Sequence, residues 1–141
     1  MTTAKTPFIQ SRWSLNDLFA APQSEAVDAA FTQLDALVTE FEGLRPQLRS
    51  DLPQDEFLAI VRKLEEIMRR GNVLNGFAGL WYSEDTQNQA ALGLLARVDQ
   101  YGADLTNRTM FFSLWWKQLD DAAADRLMAG AGDSRYWLEE L

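Results

Sequence analysis

Apolar residues recur at helical spacing in three long stretches of the chain. In the first, Val27, Ala30, Phe31, Leu34, Leu37, Val38 and Phe41 fall three and four apart, with Asp28, Asp35, Thr39 and Glu42 on the other face. This predicts one helix, opened by Ser24 after Pro22 and closed at Gly43 with Pro46 beyond. In the second, Phe57, Ile60, Val61, Leu64, Ile67 and Met68 form the stripe, backed by Arg62, Lys63, Glu65, Glu66, Arg69 and Arg70. Pro53 suits its first turn, and Leu74 and Ala78 carry the stripe to about Leu80. Gly71, Gly76 and Gly79 each weaken this helix by about 1 kcal/mol relative to alanine, or admit a neighbouring helix at close range.

The third stretch is the longest. Ser83 is a candidate cap, with Glu84 and Asp85 complementing the helix dipole. Ala91, Leu94, Leu95, Val98, Tyr101, Leu105, Phe112, Trp116 and Leu119 then keep helical spacing over roughly 50 Å, with Gly102 the point for a kink or break. From Thr109 to Trp116 the chain is apolar nearly all round, which predicts burial on several sides. A short helix from Asp121 to Met128 stops at Gly130 and Gly132, and Ser134 to Leu141 begins a further helical segment that is cut short.

No stretch alternates with the period of a strand, and the four prolines all lie within the first 53 residues. Short loops make successive helices antiparallel neighbours. The expected fold is therefore all-α: an up-and-down helical bundle of three long antiparallel helices plus short terminal helical segments. Residues 1–23 read as an irregular lead-in in which Ser14 to Phe19 makes one helical turn, and residues 24–141 as the bundle domain.

Composition then removes whole classes of chemistry. Among 141 residues there is neither cysteine nor histidine, so thiolate and imidazole metal sites, cysteine nucleophiles and histidine-based triads are excluded. The net charge of −8 argues against nucleic acid and anionic membranes as partners. The longest uncharged stretch, Gly71 to Ser83, is 13 residues against the roughly 20 of a spanning helix, and reads as a buried segment. With no secretory signal legible near Met1, the expected location is cytoplasmic.

The carboxylates read as structural. Glu65 and Glu66 are spaced for surface pairs with Arg69 and Arg70, and Asp120 and Asp121 for a helix start. Neither catalytic nor metal-binding residues emerge. The aromatic cluster is more informative: Phe112 and Trp116 lie on the inner stripe, whereas Phe111 and Trp115 sit roughly 100° round the helix. Those two are the candidate interdomain or partner surface, packing on protein outside this chain.

Arg12-Trp13-Ser14-Leu15-Asn16-Asp17-Leu18-Phe19 resembles the opening signature of oligoendopeptidase F-type zinc metallopeptidases, relatives of thimet oligopeptidase. Asp85-Thr86-Gln87-Asn88 is similar to the beginning of that family's third helix, and Tyr136-Trp137-Leu138-Glu139-Glu140-Leu141 resembles the segment leading to its catalytic part. The resemblance implies the N-terminal helical domain of a zinc-dependent enzyme hydrolysing short peptides. The zinc would belong to the full-length parent, bound by a His-Glu-x-x-His helix that this chain lacks. The chain itself would be a non-catalytic fragment walling the substrate channel, its partner the missing C-terminal catalytic domain, and the isolated fragment would self-associate through exposed apolar surface. The alternative is a free-standing helical interaction module, homodimeric through Phe111 and Trp115.

Overall fold

A computed structural model describes residues 14–140, so Arg12 and Trp13 of the opening motif lie outside the described residues. The motif's remainder makes a single turn: Leu18 and Phe19 both donate to the Leu15 carbonyl, at 2.9 and 3.2 Å. Ser14 contributes through its side chain, accepting from the Asn16 N–H at 3.4 Å. The turn is folded onto the bundle, with the Phe19 ring edge-on to Phe77 at 4.8 Å.

Three long helices follow, α1 (Glu25–Glu42), α2 (Gln54–Glu84) and α3 (Gln89–Trp116), then α4 (Asp121–Met128) and α5 (Arg135–Glu139). There is no strand among the described residues. Ser24 caps α1 as expected, its side chain accepting from the Val27 N–H. Gly43 closes the helix with a right-handed φ of −63°, so the chain coils on through a 3-10 turn at Arg45–Gln47. Gln54 follows Pro53, whose fixed φ presents the first turn of α2.

The bundle runs up, down, up. Phe31 faces Tyr101 and Phe41 faces Phe111, so α1 and α3 are parallel, whereas Phe57 near the start of α2 meets Phe112 near the end of α3. The core follows the expected stripes: Val27, Leu34, Val38 and Phe41 of α1, Phe57, Ile60, Val61, Ile67 and Leu74 of α2, and Leu94, Val98, Leu105 and Phe112 of α3. Gly71 faces this interior, where an added Cβ would lie 3.4 Å from Leu105, while Gly76 and Gly79 have nothing within 4 Å. Close helix approach therefore explains none of the α2 glycines except Gly71.

Four expectations are corrected. The second helix runs on to Glu84, and Ser83 turns its hydroxyl back to the Gly79 carbonyl at 2.8 Å instead of capping the third. Asn88 takes the capping role because its side-chain oxygen accepts from the N–H groups of both Ala90 and Ala91. The third helix passes Gly102 without a break, which leaves it about 42 Å long. Met68 is exposed, and Gly71 to Ser83 is buried only along Leu74, Phe77 and Ala78, with Asn72, Asn75 and Leu80 outward. No helix among the described residues is long and apolar enough to cross a membrane.

The C-terminal elements close the end of the bundle where α2 begins. Asp120 caps α4 by accepting from the Ala123 N–H at 2.7 Å, and Asp121 sits in the first turn. Arg126 donates to the carbonyls of Leu52 and Ser50 at 2.9 and 2.8 Å, while Gln54 donates to the Arg126 carbonyl at 3.0 Å. A Cβ on Gly130 would stand 2.8 Å from the Gln54 carboxamide, so that flexible side-chain end would have to shift. The Trp116 indole N–H then holds the Leu138 carbonyl at 3.1 Å, fixing α5 with Leu138 buried.

Phe57 is the centre of this end, fully buried and within 6.3 Å of the rings of Phe112, Trp115 and Trp116. Phe57→Ala is expected to cost about 3–5 kcal/mol in urea unfolding, whereas Arg62→Ala on the exposed back should stay within about 0.5 kcal/mol.

Candidate functional site

The aromatic pair singled out from the sequence lies in the last two turns of α3, and the structure separates its members. Phe111 is 9% exposed, its ring 5.2 Å from Phe41 and covered by the Arg45 guanidinium at 4.6 Å. Trp115 is half-buried, 6.2 Å from Phe57, 5.7 Å from Phe112 and 6.3 Å from Trp116. The second surface that Phe111 requires is thus the end of α1 and its following turn, inside this chain. The 100° offset holds; the expectation that Phe111 must meet other protein does not. A three-helix arrangement gives α3 two neighbours, and each of the adjacent aromatics reaches one of them.

A different residue organises the polar edge of the α1–α3 seam. Arg108 sits three positions after Leu105 and four before Phe112, so its stem follows the core stripe and its guanidinium emerges between α1 and α3. There it grips Glu42 with two bonds, Nη2 to Oε2 at 2.7 Å and Nε to Oε1 at 3.0 Å. It also donates to the Asp35 carboxylate and, at 3.1 Å, to the Thr39 hydroxyl. Asp35, Thr39 and Glu42 recur at the four- and three-residue spacing of one helix edge, and that edge borders α3 with Asp35 and Thr39 still exposed to solvent. The bonds from Arg108 hold the Glu42 carboxyl below its usual range, and Glu42 in turn raises the guanidinium's proton affinity. Nothing in the α1 stripe alone marked this cluster; the cation placed within the apolar register of α3 was its signal.

Above Arg108 the seam opens into a cavity of about 560 Å³ between Phe31, Asp35, Arg97, Tyr101 and Asp104. Arg97 lies over the Phe31 ring at 4.0 Å and pairs with Asp28. The Tyr101 hydroxyl is buried with no hydrogen-bond partner, and burial pushes its ionisation above the usual tyrosine range. Most of the cavity's charges already answer one another, so the geometry is that of a clamp between two helices.

Two carboxylates on the back of α2 are tied to neighbouring groups. Glu66 accepts from Arg69 and Arg70, at 2.8 and 2.6 Å, and these bonds lower its pKa to about 2. Glu65 does not take the expected Arg69 partner; it accepts from the Ser134 hydroxyl at 2.6 Å, tying the C-terminal segment to α2. No group of three or more carboxylates or other ligand residues is placed to hold a metal ion among the described residues. No family model, curated protein or solved structure matches this chain.

Two outcomes test the polar seam. The Glu42 carboxyl is ionised more readily in the fold than at its ordinary 4.5, so its stabilisation is complete above that pH and is lost as pH falls through the lowered value. Arg108→Gln should cost about 1–3 kcal/mol at neutral pH and flatten the acid limb of stability below 4.5, read by urea unfolding across pH. A variant as stable and as acid-sensitive as the parent would show that the clamp contributes nothing. Tyr101→Phe removes an orphaned hydroxyl and should be neutral or stabilising by up to about 1 kcal/mol; a clear loss would reveal a bound partner such as water.

Proposed function

We propose that this chain is the non-catalytic N-terminal helical domain of a zinc-dependent oligopeptidase of the oligoendopeptidase F type, acting as a wall of a channel that admits short peptides. The observation that carries the reading is the Ser14–Phe19 stretch. Most of the opening signature lies here, and it forms a turn whose Leu15 and Phe19 pack against the core. A motif built into the fold is a better basis for resemblance than one in a solvated tail. The Asp85–Asn88 likeness adds to it, because Asn88 is the residue that starts α3.

The supporting chemistry is of exclusion. A chain with no histidine cannot supply a His-Glu-x-x-His helix, and that motif holds the zinc and its activating glutamate in such enzymes. Zinc and peptide hydrolysis therefore belong to additional polypeptide, with this domain acting sterically. Rigid helices clamped by Arg108 and packed around Phe57 suit a wall that keeps its shape while peptides pass.

The reading predicts a split of activities. The 141-residue chain should leave a quenched fluorescent peptide intact with or without zinc, and a longer product of the same reading frame should cleave it in a chelator-sensitive way. A reading frame without a His-Glu-x-x-His motif, or stoichiometric zinc and peptide cleavage in the 141-residue chain, would refute it.

A further inference from the structure

Between α1 and α2 a groove of about 460 Å³ runs from the Phe19 ring to the guanidiniums of Arg69 and Arg70. Its apolar walls are Ala26, Ala29 and Ala30 of α1 and Val73 and Leu74 of α2. Three alanines keep the α1 wall low, and no carboxylate lines the groove among the described residues. At the arginine end two cations share one carboxylate. Glu66 accepts from Arg69 Nε and Nη2, both at 2.8 Å, and from Arg70 Nε at 2.6 Å. Arg70 Nη1 donates across the groove to the Gln33 side-chain oxygen at 3.1 Å, which fixes that guanidinium against α1. Arg69 Nη1 and Arg70 Nη2 take no acceptor among the described residues.

We propose that this groove binds a medium-chain fatty acid, its carboxylate on Arg69 and Arg70 and its tail along the alanine wall toward Phe19. Two guanidiniums on Glu66 leave a surplus of one positive charge, which one further carboxylate completes. The spare N–H groups are the donors a carboxylate takes. Gln33 lies seven positions after Ala26, about 10 Å along α1, the reach of an extended chain of about eight to ten carbons. A neutral apolar molecule would leave the guanidiniums unanswered, and a small inorganic anion would leave the apolar walls bare. A carboxylate on a hydrocarbon tail answers both.

The net charge of −8 does not cancel this local surplus. At physiological salt, exposed charges more than about 8 Å apart are largely screened. Near the arginine end, Glu40 is paired with Lys63 at 2.9 Å and Glu65 accepts from Ser134. Asp17 and Glu25 stand at the Phe19 end, where the tail and not the head group lies. Residues 1–13 of the chain contain Lys5 and Arg12 and no acidic side chain, so they do not supply the missing carboxylate. The inference goes beyond the peptidase reading and depends on none of it.

Isothermal titration calorimetry of sodium decanoate into the 141-residue chain tests it. One molecule is expected per chain, with decanol bound at least about tenfold more weakly for want of the charge. Each methylene removed from the acid should weaken binding about two- to fourfold. Ala29→Leu fills the groove from an exposed helical position, and Arg70→Gln removes the surplus charge. Each should weaken binding at least about tenfold with helical circular dichroism unchanged. Four results overturn the proposal: no binding at millimolar decanoate, several molecules per chain, decanol bound as tightly as decanoate, or an affinity unmoved by folded Ala29→Leu and Arg70→Gln.

Discussion

A mismatch of helix lengths governs this architecture. At about 1.5 Å per residue, α2 and α3 reach about 46 and 42 Å, whereas α1 spans only about 27 Å. Two long helices with apolar stripes along their whole length cannot be covered on one side by a helix of little more than half that reach. The rest of the chain is spent on the overhangs. At one end the Ser14–Phe19 turn lays Phe19 on Phe77; at the other, α4 and α5 bring Leu127 and Leu138 over the start of α2 and the end of α3. Features that look like loose ends in the sequence are the pieces that complete the core.

The two sides of the bundle are held by different physics. Around Phe57 the contacts are aromatic and dry, with ring pairs stacked or tilted and the one polar handle, the Trp116 N–H, satisfied by a backbone carbonyl. Along α1 and α3 the ring pairs Phe31–Tyr101 and Phe41–Phe111 are joined by an ionic contact, concentrated in Arg108, whose planar fork answers Glu42 with two bonds and still reaches Asp35. Hydrophobic packing is tolerant of sliding, whereas a forked ion pair is not. Arg108 therefore adds a directional contact between α1 and α3 to the apolar burial, which aliphatic and aromatic side chains share.

Much of this was legible in the residues. The apolar stripes named most of the core but not Leu52, Phe77, Leu127 or Leu138, and Ser24, Pro53 and Asp120 placed three helix starts because each does one local job with no competitor nearby. The start of α3 was harder: Ser83, Asp85 and Asn88 can all cap, and the choice fell to Asn88 once α2 had continued through Glu84. The partners of Arg108 were illegible for another reason. They lie 66 and 73 residues away in sequence, and they become its partners only when the parallel register of α1 and α3 is known. Phe111 shows the same limit, since periodicity gave its direction but not which helix would be waiting there.

The strap made by Arg126 has a bearing on how the molecule comes apart. Its guanidinium holds the carbonyls of Ser50 and Leu52, and its own carbonyl is held by Gln54, so the α1–α2 connection and α4 share three hydrogen bonds. Segments more than 70 residues apart are thereby joined into one cooperative unit. Breathing of the connection would have to loosen the C-terminal elements at the same time. Fraying at this end of the bundle is then a concerted opening and not two independent ones.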